Sequence, residues 1–516
     1  MRKLVIFFLL LAACTLYFPL AACGSEGFML GNEVLMQERH DLIQGKRVGL
    51  VTNQSGVTST GESMIDILAN DPSVNLTALF GPEHGIDGKA SAGAYVKSYT
   101  HPQLGIPVYS LYGETRMPTR EMFSNIDVLL FDVQDIGART YTYMSTLNYC
   151  LVAAEKYNKP VIVLDRPNPL GGVIVDGPVL EDRYKSFVGV DNLPMAHGMT
   201  AGELARFFNR KIGADLTVVP MKGYNRTMIY QDTGLKWVPT SPNIPNLDSV
   251  FGYMATGLGE GTGIYQADKF TWIGGKGIDS NRFAQLLNNS GLQGVKYIPE
   301  PKGSAGGVKL KITDYHLFNP AKSGIYALAY ARSLNNFKVP VSGDTIVMFD
   351  KVMGTDKIGK YLQQGLSPQQ IEAKYAPALA EFKRERTKYL IPDYGPPVAT
   401  GGITVFVDGK PLYFDVEPYI DSNGRTMVPF RAIAEALGAV VEWSSGVGTV
   451  TITKGAQEIV FTVNKTQAVV NGRTRYIDTK PVIRNGRTMV PARYVGEFLG
   501  ADVKWEKGVQ KVIITS

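Results

Sequence analysis

The chain has 516 residues, an apolar fraction of 44% and a formal net charge of +6 from 53 basic and 47 acidic side chains. That length exceeds one ordinary core and calls for about three folded units. The apolar content is that of an ordinary globular protein, and the modest charge fits loose attraction to an anionic surface but does not amount to a nucleic-acid-binding footprint.

The first residues, MRKLVIFFLLLAACTLYFPLAACGSEG, join a basic start to an apolar run and small residues before a cysteine. This is an export signal and not part of the fold. LAAC occurs twice, and the copy ending at Cys23 is followed by polar Gly24, Ser25 and Glu26. It resembles a bacterial lipobox, so residues 1–22 are expected to be removed and Cys23 to carry the lipid. The alternative is a plain signal peptide or an uncleaved anchor. Cys150 lies in an apolar helical pattern and reads as core, so no disulfide framework is available.

From residue 23 to 221, short β-rich runs alternate with helical patterns. The expected strands are 47–53, 75–81, 107–113, 127–133, 160–166 and 216–221, with helices over 142–157 and 199–213 between the later ones. Several strands are unbroken Val/Ile/Leu/Phe runs, the pattern of strands covered on both faces. The fold class is therefore α/β, with an open, largely parallel sheet. The strands end in polar clusters: Asn53, Glu83-His84, Tyr112-Gly113-Glu114, Asp132 to Asp135, and Asp165 to Asn168. Ligands bind outside the carboxyl ends of such strands, so five polar tips point to a site.

Within these tips, Glu83 is a candidate general acid if partly desolvated. The simpler reading of Glu83-His84 is a solvated turn. DVQDIGARTYTY offers Gln134, Asp135, Arg139 and Tyr141; Arg139 suits a carboxylate, or else pairs with an aspartate to cap the next helix. Arg166 and Asn168 in DRPNPLGG point to the crevice, although Asn168 also suits a turn before Pro169. His197 precedes a helix start and serves either the site or a local hydrogen bond.

Residues 222–395 are richer in Gly, Pro and aromatics, with a helical stretch near 367–389, and read as an auxiliary α+β subdomain closing the cleft. Its loop GLGEGTGIYQAD contributes Glu260. Residues 396–402 belong to a linker. In the tail, 403–516, NGRTMVPFRAIAEALGAVVEW and NGRTMVPARYVGEFLGADVKW repeat at a constant offset, so two copies of one unit are expected to bury each other's apolar faces. Trp443, Trp505, Tyr413 and Phe461 read as core of that module. All five histidines precede the tail, and no CxxC, HExxH, GxGxxG or P-loop spacing occurs at a strand-to-helix junction. No metal or nucleotide cofactor is expected.

GLVTNQSGV, FGPEHGIDG, VYSLYGETRMPT, FDVQDIGARTYTY, DRPNPLGG, HGMTAGELA and DTGLKWVPTSPNIP, in that order, resemble the NamZ-type exo-β-N-acetylmuramidase family over about residues 30–395. The resemblance implies a Rossmann-like subdomain plus an auxiliary one, and a glycosidase releasing N-acetylmuramic acid from non-reducing ends of peptidoglycan fragments. It makes Glu83 the leading acid/base candidate and places Asn53, Gln134, Asp135, Arg139, Arg166, Asn168 and His197 in matching motifs. Asp135, Asp132 and Glu260 compete for the second carboxylate role, and Arg139 or Arg166 for the lactyl carboxylate. One departure stands out: where the family has a segment like SEGRGTTxPFE, this chain has GEGTGIYQADKFTW (259–272) and lacks its arginine. The tail is similar to the copper amine oxidase N-terminal-like module of Gram-positive surface proteins. The implied partners are a peptidoglycan-derived glycan and, through the lipid, the membrane; the implied address is the outer cell surface. Two rival readings are a non-catalytic wall-binding lipoprotein and an esterase or amidase acting on wall material.

Overall fold

The computed structural model describes residues 28–395, 403–444, 448–506 and 511–516. The export segment with Cys23 and the linker 396–402 lie outside the described residues. No helix among the described residues is long and apolar enough to cross a membrane.

The strands form where the apolar runs were read. They are β1 (Arg47–Thr52), β2 (Asn75–Gly81), β3 (Tyr99–Thr100), β4 (Pro107–Ser110), β5 (Val128–Asp132), β6 (Val161–Leu164) and β7 (Leu216–Val219), in the sheet order β3-β4-β2-β1-β5-β6-β7. All neighbours are parallel except the two-residue edge strand β3, which pairs antiparallel with β4. Without β3 the order is that of the doubly wound dinucleotide-binding fold, whose chain reverses direction of winding between β1 and β5. Both faces are covered. Val51, Phe80, Leu129, Phe131 and Val163 enter one core, while Leu50, Leu79, Leu130 and Leu164 enter another on the opposite face. That two-sided burial is why these strands lack polar alternation.

The connecting helices are α1 (Gly31–Glu38), α2 (Met64–Asn70), α3 (Arg120–Phe123), α4 (Tyr143–Tyr157) and α5 (Ala201–Ile212). Helix α5 is closed at both ends by its own sequence. Thr200 and Glu203 form a reciprocal capping box, and Gly213 adopts the left-handed conformation at the other end (φ 79°). Such a cap contributes about 1 kcal/mol.

The auxiliary region carries α6 (Leu247–Thr256), α7 (Ser280–Asn288), α8 (Pro320–Leu334), α9 (Met348–Met353), α10 (Lys357–Gln363) and α11 (Pro368–Arg386). A second, antiparallel sheet is ordered β10-β11-β9-β8, from β8 (Ile264–Ala267), β9 (Trp272–Lys276), β10 (Val295–Pro299) and β11 (Ala305–Ile312). Its residues, from Val250 to Leu390, belong to the same apolar core as Phe131 and Leu204. One continuous core thus fixes the auxiliary region against the large sheet.

The tail has a separate core. Its two repeats meet through strands 426–429 and 487–491, which pair antiparallel with Val428 directly opposite Val490, the equivalent residue of the other copy. Both valines are fully buried, as are Ile433 and Val495 on the two repeat helices. The halves do bury each other's apolar faces. Trp443 and Trp505 differ from expectation: they stand opposite Val450 and Val512 but at strand ends where the core runs out, 41% and 39% exposed. Phe461 is core, whereas the Tyr413 hydroxyl meets His316 Nδ1 of the auxiliary region at 3.0 Å.

Candidate active site

The reversal between β1 and β5 opens a crevice at their carboxyl ends. Asn53, just after β1, accepts from the Ser55 backbone N–H (2.9 Å) and hydroxyl (2.6 Å) through Oδ1. The Gln134 N–H donates to Ser55 Oγ at 3.0 Å, and Gln134 Nε2 donates to the Asp135 and Pro167 carbonyls, both at 2.8 Å. Asp135 Oδ2 accepts from the Gly137 N–H at 2.8 Å. His197 Nε2 lies 3.4 Å from that oxygen, while its Nδ1 accepts the Met199 N–H. Acceptance at Nδ1 places the ring proton on Nε2, facing the carboxylate.

Of the buried polar atoms left without a hydrogen-bond partner among the described residues, three lie on these strand tips: Asn53 Nδ2, Gln134 Oε1 and Asp135 Oδ1. Each such group costs about 1–3 kcal/mol when nothing satisfies it. A donor and two acceptors left unmet on adjacent strand tips form a floor suited to a hydroxyl- and amide-bearing ligand.

Beside this floor, the end of β2 presents Glu83, half-buried. Its Oε2 accepts from the hydroxyl of Thr142 at the start of α4, and its Oε1 accepts from the Gly93 N–H at 2.9 Å. Gly93 sits in the loop 84–98 that folds back over the strand tip. His84 braces that loop, donating from Nδ1 to the Ala90 carbonyl at 2.7 Å from a left-handed backbone (φ 73°). Gly88 also needs its positive φ, and a Cβ there would collide with Gln54. Burial, then the Glu83 charge, pushes the Tyr112 phenol up. Tyr253 of α6 is pushed up to about 12, first by burial and then by the negative charges of Glu83, Glu260 and Asp135. One phenol from the auxiliary region therefore senses all three carboxylates.

The crevice collects Asn53, Glu83, His84, Gln134, Asp135 and His197. Four other expected residues are spent on the scaffold. Arg139 is buried and donates to the carbonyls of Pro178 and Leu193 (2.8 Å each) and Val352 (2.6 Å), tying the sheet to the auxiliary region. Among the described residues it has no carboxylate partner, and burial lowers its pKa to about 9. Arg166 is paired with fully buried Asp132 (2.5 Å), which also accepts from Asn32. Asn168 closes its turn by accepting the Leu170 N–H and donates to the Met199 carbonyl. Tyr141 donates to the Thr240 hydroxyl at 2.8 Å. Asp165 is likewise internal: it accepts from the hydroxyls of Thr200 and Tyr394 and the Gly202 N–H, and burial pushes its pKa up to about 6. Glu260 is exposed and lines a cavity of about 340 Å³.

Sequence reasoning missed Thr142, Gly93 and Tyr253. Thr142 stood in the ARTYTY motif, but nothing along the chain signals a partner 59 residues away.

The family described as "Exo-beta-N-acetylmuramidase NamZ, N-terminal" matches residues 48–248, and its C-terminal counterpart matches residues 251–391. "Copper amine oxidase N-terminal domain" matches residues 406–514. The chain is 43% identical over 378 residues to the peptidoglycan beta-N-acetylmuramidase NamZ of Bacillus subtilis (strain 168), covering 70% of this chain and 90% of that one. Two solved structures of DUF1343 family proteins from Bacteroides fragilis NCTC 9343 are similar, each covering 70% of this chain and 98% of theirs. One has a TM-score of 0.64 at 36% identity, the other 0.54 at 27%.

Proposed function

Because the chain belongs to the NamZ family of exo-β-N-acetylmuramidases and is a glycoside hydrolase, we propose that it releases N-acetylmuramic acid from the non-reducing ends of peptidoglycan fragments, with Glu83 as the proton donor. The observation that carries this role is the setting of Glu83: a half-buried carboxylate fixed by Thr142 and Gly93 beside a floor of unmet polar atoms. Glu83 protonates the glycosidic oxygen as the bond to the departing sugar breaks. Asn53 Nδ2, Gln134 Oε1 and Asp135 Oδ1 hold hydroxyl and acetamido groups of the terminal sugar. His84 is a positioning residue that keeps the loop 84–98, and hence Gly93, on Glu83. Glycosidases use a second carboxylate; Asp135 in the floor and Glu260 across the cleft flank Glu83 for that role.

An acyl-transfer reading lacks support at the crevice, because the Ser55 hydroxyl is engaged with Asn53 and Gln134 rather than with a base. The LAAC sequence ending at Cys23 supports lipid anchoring at the outer membrane face, and the tail is read as a wall-attachment module. The test incubates a MurNAc–GlcNAc disaccharide with wild type and Glu83→Gln. Wild type releases N-acetylmuramic acid, and the variant loses about 10²–10⁴-fold in kcat. A wild type that releases no sugar sinks the activity; a fully active Glu83→Gln sinks only the role of Glu83.

A further inference from the structure

A groove on the auxiliary region leads away from Glu260 along an edge strand. Two cavities, about 340 and 480 Å³, adjoin along β8 and share Gly263 and Ile264 in their walls. The first holds Glu260, Tyr265 and Gln266, and its Glu260 end is the one whose charge reaches Tyr253 together with that of Glu83. Strand β8 is the edge of its sheet. Tyr265 on it pairs opposite Gly274 and leans on the Trp272 ring (centroids 5.4 Å apart), which fixes the phenol while leaving it 47% exposed. The second cavity holds Lys276, Asn335 and Lys338. Both lysines are exposed, and among the described residues neither has a carboxylate partner. Glycines at 257, 259, 261 and 263 leave much of the wall as bare backbone.

We infer that this groove binds the part of the glycan that continues beyond the two sugars at the scissile bond, with Tyr265 as a stacking platform and Lys276 and Lys338 as the receptor for a carboxylate farther along. The inference rests on the glycosidase reading and names its preferred substrate, an extended, carboxylate-bearing chain rather than a disaccharide. An exposed aromatic face beside a carboxylate and a carboxamide is the chemistry that holds a pyranose ring: its C–H face packs on the phenol and its hydroxyls meet the polar groups. The charge order fits as well. Acidic Glu260 lies toward the cleft and the two unpaired ammonium groups lie at the far end, where a muramic acid unit beyond the cleaved pair brings its lactyl carboxylate or the carboxylates of a peptide on it. The groove is built largely from 259–272, the segment in which this chain departs from the resembling family's pattern, so the preference belongs to this chain.

The test compares the MurNAc–GlcNAc disaccharide with the tetrasaccharide of two such units, with and without a peptide on the inner lactyl group. Wild type is expected to show a lower KM for the tetrasaccharide. Tyr265→Ala raises that KM about three- to tenfold, and Lys276→Ser/Lys338→Ser about two- to tenfold, with kcat and every disaccharide constant unchanged. Added salt raises the tetrasaccharide KM of wild type but not of the double lysine variant. A lysine effect on both tetrasaccharides identifies the lactyl carboxylate as the group received; an effect on the peptide-bearing form alone identifies the peptide. Equal effects on disaccharide and tetrasaccharide, or none on either tetrasaccharide, overturn the inference while disaccharide hydrolysis by wild type leaves the glycosidase reading standing. If wild type cleaves neither substrate, both fall together.

Discussion

Replacing Arg139 with methionine separates two uses of a guanidinium that look alike in sequence: clamping a substrate carboxylate or stapling the fold. The structure gives Arg139 three hydrogen bonds to backbone carbonyls. At about 1.5–3 kcal/mol each for a charged donor, these are worth about 5–9 kcal/mol gross. Against this stands the cost of burying the cation. Its pKa falls from 12.5 to about 9, a drop of about 3.5 units or roughly 5 kcal/mol. The net is about 0–4 kcal/mol, centred near 2. Arg139→Met, which keeps the apolar stem, should therefore lower the Tm of the large enzyme body by about 2–3 °C. It should leave the disaccharide KM within about twofold of wild type at 25 °C. A carboxylate clamp predicts the reverse, because losing a bidentate charged contact raises KM about ten- to a hundredfold. Thermal melts combined with steady-state kinetics decide the matter. An unchanged Tm with a KM raised tenfold or more would refute the staple.

Thr142→Val removes the hydroxyl that holds Glu83 Oε2; kcat on the disaccharide should fall about tenfold with little change in KM, and Thr142→Ser should restore it. Asp165 has a folded-state pKa near 6, above its ordinary 3.8, so the folded protein binds the extra proton between those values. Its contribution favours the folded state below about pH 4 and is lost as pH rises through 6, a change of about 3 kcal/mol. Urea midpoints at pH 4.5 and 6.5 should show a smaller pH difference for Asp165→Asn than for wild type; equal differences would contradict the assignment. The tail and the enzyme body have separate cores, so a chain ending at residue 395 should hydrolyse the disaccharide with kcat/KM within about threefold of the full chain. Loss of activity on that truncation would show that the tail completes the site.

Much of this architecture is written along the chain. Unbroken apolar runs marked the six parallel strands because those strands are covered on both faces, and a local pattern suffices to say so. The helix expected over 199–213 forms as α5, and its ends are closed locally by Thr200, Glu203 and Gly213, because capping acts over a few residues. The tail's internal repeat announced two halves that pack on each other, with Val428 meeting Val490. The polar strand tips, and Glu83 among them, were legible for the same reason: a ligand in an open α/β sheet meets the carboxyl ends of strands whatever the order of the sheet.

What each tip does was settled only by the tertiary structure. Arg139, Arg166 and Asn168 carry side chains as suitable for a substrate as any in the crevice, yet sheet order and the packed auxiliary region hand them carbonyls, Asp132 and a local turn. Glu83 receives Thr142 from a distant helix start and Gly93 from a loop braced by His84. Hydrogen-bond partners are chosen by proximity in three dimensions, and neither periodicity nor spacing encodes which strand lies beside which. In "FGPEHG" the sequence by itself determined that a carboxylate would stand at a strand end; the fold decided that it would be held there, half-buried, beside an unfilled polar floor.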